Sequence, residues 1–347
     1  MARRRLEAAI QAGKAIDSEH SKSKGTFTTV KSLHGLKLSE LSSGIYSLQF
    51  SLDSDLLAVG LGDGGVSLYS SESGRLYKDV HKGTTKGLPV MALAFHPNEK
   101  DILVGAGADG MISAWNIQTL NIKFRIREPH NEINALDFSL TGGNFATAGK
   151  DVCVRLYDAE RNELLRKYEG SNEFLPDHDE AQGLGHGRRV FALKYHPDDD
   201  HIFVTGGWDD SLKIWDSRTS SGVQRTIQGT HVCGNAIDIK DGKILTASWV
   251  AHNSLQLWDF STGRLESNIP FGSDSGEYLY TCQFCDNNVV LAGGSGTNSV
   301  KAINKNTFEV LGTVSLDKAV QALDSTNGGR YFALGGAGIK LEIASLE

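Results

Sequence analysis

A repeat of about forty residues constrains this chain more than any other feature it has. One recurrent place is the aromatic of Ser67-Leu68-Tyr69, Ser113-Ala114-Trp115, Arg155-Leu156-Tyr157, Lys213-Ile214-Trp215 and Gln256-Leu257-Trp258, which returns at intervals of 46, 42, 58 and 43 residues. Two degenerate copies follow at Ala302-Ile303 and Leu341-Glu342, after 45 and 39 residues. A second feature keeps the same period: apolar residues spaced by three and then two. It reads Ile45, Leu48, Phe50; Val90, Leu93, Phe95; Ile133, Leu136, Phe138; Val190, Leu193, Tyr195; Leu279, Cys282, Phe284; and partly Val320, Leu323. A third is a run of small residues ending in an acid six places before the aromatic, at Asp63, Asp109, Asp151 and Asp209. Thirty-nine glycines against six prolines, with β-rich runs between turn clusters, make each unit a set of short strands. Such units bury their apolar faces against one another, not alone.

Together these residues resemble the WD-repeat (WD40-type) family from about residue 26 to 347. The fourth copy carries the resemblance best: GHGRRVFALKYHPDDDHIFVTGGWDDSLKIWD, Gly185 to Asp216. The resemblance implies an all-β, seven-bladed β-propeller of four-stranded antiparallel blades. It also implies that His186, Thr205, Asp209 and Trp215 form a buried hydrogen-bonded chain, stabilising only when every member is satisfied. The third copy offers His130, Thr147, Asp151 and Tyr157, the fifth puts His252 in the acid's place, and the last two lose most of the set. A His oriented by an Asp is also half of a hydrolase triad, but recurrence at blade period points to architecture. A propeller hydrolase is therefore the weaker reading, and no catalytic residue is assigned.

Seven copies leave one strand missing, since only five residues follow Glu342. The segment Thr26-Phe27-Thr28-Thr29-Val30-Lys31-Ser32-Leu33 reads as a strand by β-branched content and alternation, and is expected to close the ring by pairing with Ile339 to Ala344. This divides the chain into a polar extension, 1–24, and a propeller, 25–347. Leu6, Ala9 and Ile10 lie at helical spacing in the extension, interrupted by Gly13. The long interval of 58 places an inserted loop at about 170–187, between blades three and four.

Binding chemistry is sparse. Asp177, His178, Asp179 and Glu180 have ligand-type side chains in sequence, not in metal-binding spacing. Cys282 and Cys285 form a lone CxxC with Cys282 at a core place, so no metal and no cofactor is expected. A formal charge of −7 disfavours nucleic acid as main partner. No apolar run is long enough to span a membrane, and four scattered cysteines suit the cytoplasm.

What remains points to other proteins as partners, gripped as a peptide or loop on the narrow face, with a monomeric propeller sitting inside a larger complex. Trp208 and Trp249 each follow a strand threonine by three residues, in equivalent turns of neighbouring blades, beside Arg188 and Arg189. Exposed tryptophan and arginine are enriched in binding hot spots. The leading expectation is a non-catalytic interaction scaffold or adaptor. The alternative is a substrate receptor of a cullin-RING ubiquitin ligase, because Trp215-Asp216-Ser217-Arg218 resembles the Trp-Asp-x-Arg motif of such receptors. In that motif the counterparts of Asp216 and Arg218 face the ligase adaptor.

Overall fold

The computed structural model describes residues 27–170, 185–272 and 277–347, and the repeat takes the form of seven four-stranded antiparallel sheets. Blades one to six span 45–81, 90–127, 133–168, 190–228, 237–269 and 278–315. Blade seven takes three strands from 320–346 and its outermost strand from Val30–Lys37. Inner strands of successive blades pack side by side, and the last, Val320–Thr326, packs against the first, Ile45–Phe50, which closes the ring. The extension 1–24 and residues 171–184 of the inserted loop, Asp177 to Glu180 among them, lie outside the described residues.

The three-then-two apolar spacing has a structural cause. In six blades the ladder between the first two strands slips by one residue just after the first apolar position of the repeat, as between Ile45 and Ser47 or Val190 and Ala192. This β-bulge inserts one unpaired residue, so the usual alternation of two becomes a step of three. The inserted residues are Tyr46, Met91, Asn134, Phe191, Tyr280 and Gln321. All but Tyr280 line the cavity on the ring's axis.

The core lies between blades. Val66 and Leu68 of blade one pack with Leu93, Leu103 and Trp115 of blade two, and Ala146 and Val154 of blade three pack with Val190, Phe203 and Trp215 of blade four. Each large apolar side chain buried this way stabilises by about 1.5–3 kcal/mol, and no blade keeps that contribution without its neighbour.

The closing strand lies four residues later than the β-branched run suggested. Val30 stands opposite Leu346 and Lys37 opposite Lys340, while the Thr28 and Thr29 N–H groups bond the Glu347 carbonyl at the ladder's end. The partner sets this register, because an antiparallel clasp must run back to where Lys340–Leu346 begins. Gly35, an apparent strand breaker, lies within the ladder, and a Cβ there would come 2.8 Å from Glu342 Oε1, so the carboxylate would have to shift. The seventh copy is also displaced. Ala344, opposite Phe332 as Trp215 is opposite Phe203, holds the aromatic's place, not Glu342.

Candidate functional site

Beneath the ring's surface lie the polar networks. In blade four the His186 imidazole sits between the Asp209 carboxylate, 2.8 Å from Nδ1, and the Thr205 hydroxyl, 2.6 Å from Nε2. Trp215 donates its indole N–H to Thr205 at 2.7 Å. Burial lowers the His186 pKa despite Asp209, so the ring is neutral. Burial alone would raise Asp209, but His186 and the Gly187 N–H outweigh it and hold the carboxyl at about 2. Every polar atom in this chain has a partner and none faces solvent as a nucleophile, which makes it a structural element.

Blade three departs from the sequence reading. His130 is exposed and stays out of the network; Glu128, 1% exposed, takes the imidazole's place. Its carboxylate accepts from Thr147 at 2.5 Å, Tyr157 at 2.9 Å, Asn131 at 2.6 Å and Arg155 at 3.1 Å, and Arg155 also holds Asp151. A buried carboxylate needs a cation where a neutral imidazole does not, and Arg155 supplies it. In blade five Trp258 donates to Thr246 at 3.0 Å, and His252 is exposed, outside that bond.

Along the axis, three carboxylates tie one blade to the next. Asp137 accepts from the Tyr195 N–H, Asp238 from Phe284 and Asp324 from Phe50, at 2.8, 2.8 and 2.6 Å. Lys194 stands among them, and its pKa is raised above the ordinary range chiefly by Asp137. Gln283 and Gln49 donate further hydrogen bonds to Asp324, at 2.7 and 3.3 Å. Burial nevertheless pushes the Asp324 carboxyl from 3.8 up to about 6. A carboxyl raised in this way keeps its proton in the fold after the unfolded chain has lost it. Stability therefore falls as pH rises from about 4 to about 6, by an amount on the order of 2–3 kcal/mol. Asp324→Asn should lack this component, so urea unfolding should show variant minus wild-type stability increasing from about pH 4 to about pH 7. A difference that stays flat, or decreases, would show that Asp324 titrates normally.

One end of the ring carries the turns between second and third strands together with the links between blades. Trp208 and Trp249 sit there in equivalent turns, their N–H groups bonded to Arg189 and His231 carbonyls, and each is 40% exposed. Both indoles lie down on the ring. Trp208 donates to Cys233 Sγ at 3.0 Å and packs 5.0 Å from the Phe191 ring; Trp249 donates to the Tyr280 hydroxyl at 2.8 Å and packs 4.8 Å from Tyr278. Arg189 places its guanidinium 5.5 Å over Trp208 and pairs with Glu132 at 2.8 Å, while Arg188 is exposed. The aromatic crescent thus includes Phe191, Tyr278 and Tyr280, which single-residue inspection missed. The signal was the three-residue step, since Phe191 and Tyr280 are bulge residues.

Asp216 and Arg218 lie side by side but are not exposed together. Arg218 chelates Asp216 through Nε at 2.8 Å and Nη2 at 2.7 Å, and the Asp216 side chain is 13% exposed against 54% for Arg218. Cys282 and Cys285 are buried free thiols, Cys282 inside a core cluster, and burial raises both pKa values. Among the described residues no three metal-ligating side chains come together, and no helix is long and apolar enough to cross a membrane.

The family model "WD domain, G-beta repeat" matches residues 30–70, 77–116 and 180–216. The chain is 22% identical over 270 residues to WD repeat-containing protein slp1 of Schizosaccharomyces pombe, covering 77% of this chain and 51% of that protein. It is 24% identical over 233 residues to cell division cycle 20.1, cofactor of APC complex, of Arabidopsis thaliana, covering 64% and 46%. It is 24% identical over 169 residues to the human GATOR2 complex protein WDR24, covering 48% and 20%. The chain spans about half the length of these relatives, or less.

Proposed function

We infer, from the premise that this chain is a WD-repeat β-propeller, that it works as a non-catalytic scaffold within a multiprotein complex. The observation that carries the reading is the crescent on blades four to six, where two half-exposed indoles are backed by Phe191, Tyr278 and Tyr280. Indoles whose N–H groups are already tied to the ring are pre-organised, so a partner that covers them orders little in doing so. Arg189 and the exposed Arg188 add charged contacts at the crescent's side. The occupant is a peptide or loop of another protein, laid across the narrow face. The relatives' names support this class of role, since one is named a cofactor of APC complex and another a GATOR2 complex protein. Receipt by a ligase adaptor through Asp216 and Arg218 would first have to break their bidentate pair, which makes it the lesser reading.

Affinity capture from native extract with wild type and with the Trp208→Ala, Trp249→Ala double variant tests the crescent. A hot-spot loss of at least about 2 kcal/mol corresponds to binding weakened roughly 30-fold, enough to remove a partner from the captured set. Circular dichroism must show the variant folded. Retention of every partner by a folded variant would reduce both tryptophans to packing residues.

A further inference from the structure

At the end of the ring that carries the crescent, a residue in the turn between second and third strands gives its N–H to the carbonyl of the residue that leads into the blade. The two residues therefore stand together. In blades seven, one and two these pairs are Ala337 with Ala319, Gly62 with Gly44 and Ala108 with Pro89, which offer a partner almost nothing to grip. In blades three to five they are Lys150 with Glu132, Trp208 with Arg189 and Trp249 with His231, and in blade six Ser295 stands opposite Tyr278. Charged and aromatic side chains at this position are thus confined to one half of the ring. The charges gather at its blade-three end and the rings lie beyond them.

The charged end keeps a positive excess. Glu132 is in contact with both Lys150 and Arg189, which hold its carboxyl below the ordinary range, Lys150 foremost. Arg188 is exposed beside them and carries no ion pair among the described residues, so Lys150, Arg188 and Arg189 share a single carboxylate. Arg189 lies over the Trp208 ring at 5.5 Å and gives Glu132 one N–H, from Nη1 at 2.8 Å. The rest of its planar fork meets no acceptor among the described residues. At the blade-five end, by contrast, His231 is already paired with Asp210 at 2.6 Å. Negative charge on a ligand is therefore favoured on one side of the indoles and not on the other.

We propose that the segment covering the crescent is acidic at one end and apolar at the other. An aspartate or glutamate carboxylate bonds the open edge of Arg189, with Arg188 and Lys150 beside it, and a following apolar side chain lies on Trp208 and Trp249. A guanidinium stacked on an indole is held with its N–H edge outward, which suits a carboxylate. Glu132 is the internal rival of that carboxylate, since both draw on the same two cations. This inference deepens the scaffold reading and rests on it.

Fluorescence anisotropy with fluorescein-labelled Asp-Glu-Asp-Gly-Leu-Phe-Gly-amide tests both ends, beside counterparts in which Asn and Gln, or Lys, replace the acids. The acidic peptide is expected to bind the full chain with a Kd on the order of 10–100 μM, and the amide peptide at least about 10-fold more weakly. Glu132→Gln removes the rival, so it should tighten the acidic peptide about 3- to 10-fold and leave the amide peptide unchanged. A damaged fold cannot produce that gain. No binding of the acidic peptide at about 1 mM, lysine-peptide binding as tight as the acidic, or weakening by Glu132→Gln overturns the proposal. If all three peptides bind alike and the Trp208→Ala, Trp249→Ala variant abolishes binding, the crescent stands and its preference for acid is overturned. If the acidic peptide binds the folded double variant undiminished, the indoles take no part, and the crescent reading falls together with this one.

Discussion

Arg155→Met is expected to destabilise the fold by about 3–5 kcal/mol in urea unfolding, because it strands the Glu128 carboxylate in the interior. Glu128 is 1% exposed and Arg155 9%, so water can replace little of the lost cation. Thr147, Tyr157 and Asn131 go on donating to Glu128, but they bring no positive charge. Adding Glu128→Gln to the variant should restore much of the loss, since a neutral amide still accepts from Thr147 and Tyr157. The double variant is thus predicted to be more stable than Arg155→Met alone. A double variant at least as unstable as the single one would show that the guanidinium contributes by packing and not by charge.

This network shows where the sequence stops being readable. Blade period located Thr147, Asp151 and Tyr157, because Thr147 and Tyr157 keep fixed places in the ladder and Asp151 lies in the short turn that joins its two strands. The fourth member comes from a link, where offsets are free: Glu128, not His130, enters the network, two residues from the expected place. The fold itself was legible because bulged inner strands repeat a spacing that neither a plain strand nor a helix produces. The crescent was half legible. Trp208 and Trp249 stand out by residue type, whereas Phe191 and Tyr280 matter through a bulge that turns them out of the ladder.

A chain beginning at residue 39 is expected to lose cooperative folding, yet the same residues rearranged should keep it. The missing segment supplies the outer strand of blade seven, with seven register positions from Val30 opposite Leu346 to Lys37 opposite Lys340. It also supplies Phe27, Val30 and Leu36 to the clusters beneath. Those losses come to an amount on the order of 5–10 kcal/mol, comparable with the whole stability of a domain. They also leave Lys340–Leu346 as an unpaired edge open to aggregation. Thr28 and Thr29 bond the Glu347 carbonyl, so the closing strand starts where the last strand ends. A permuted chain running from residue 39 to Glu347, through a short Asn-Gly turn, into residues 27–38 would therefore keep Phe27 and make the same ladder as an ordinary hairpin. Circular dichroism and thermal melting should show the truncated chain unfolded or aggregated and the permuted chain with a melting temperature near that of the original. If both fold, the clasp is dispensable and the other three strands hold blade seven. If neither folds, the segment acts through its attachment to blade one, by way of the link 38–44, and not through the ladder.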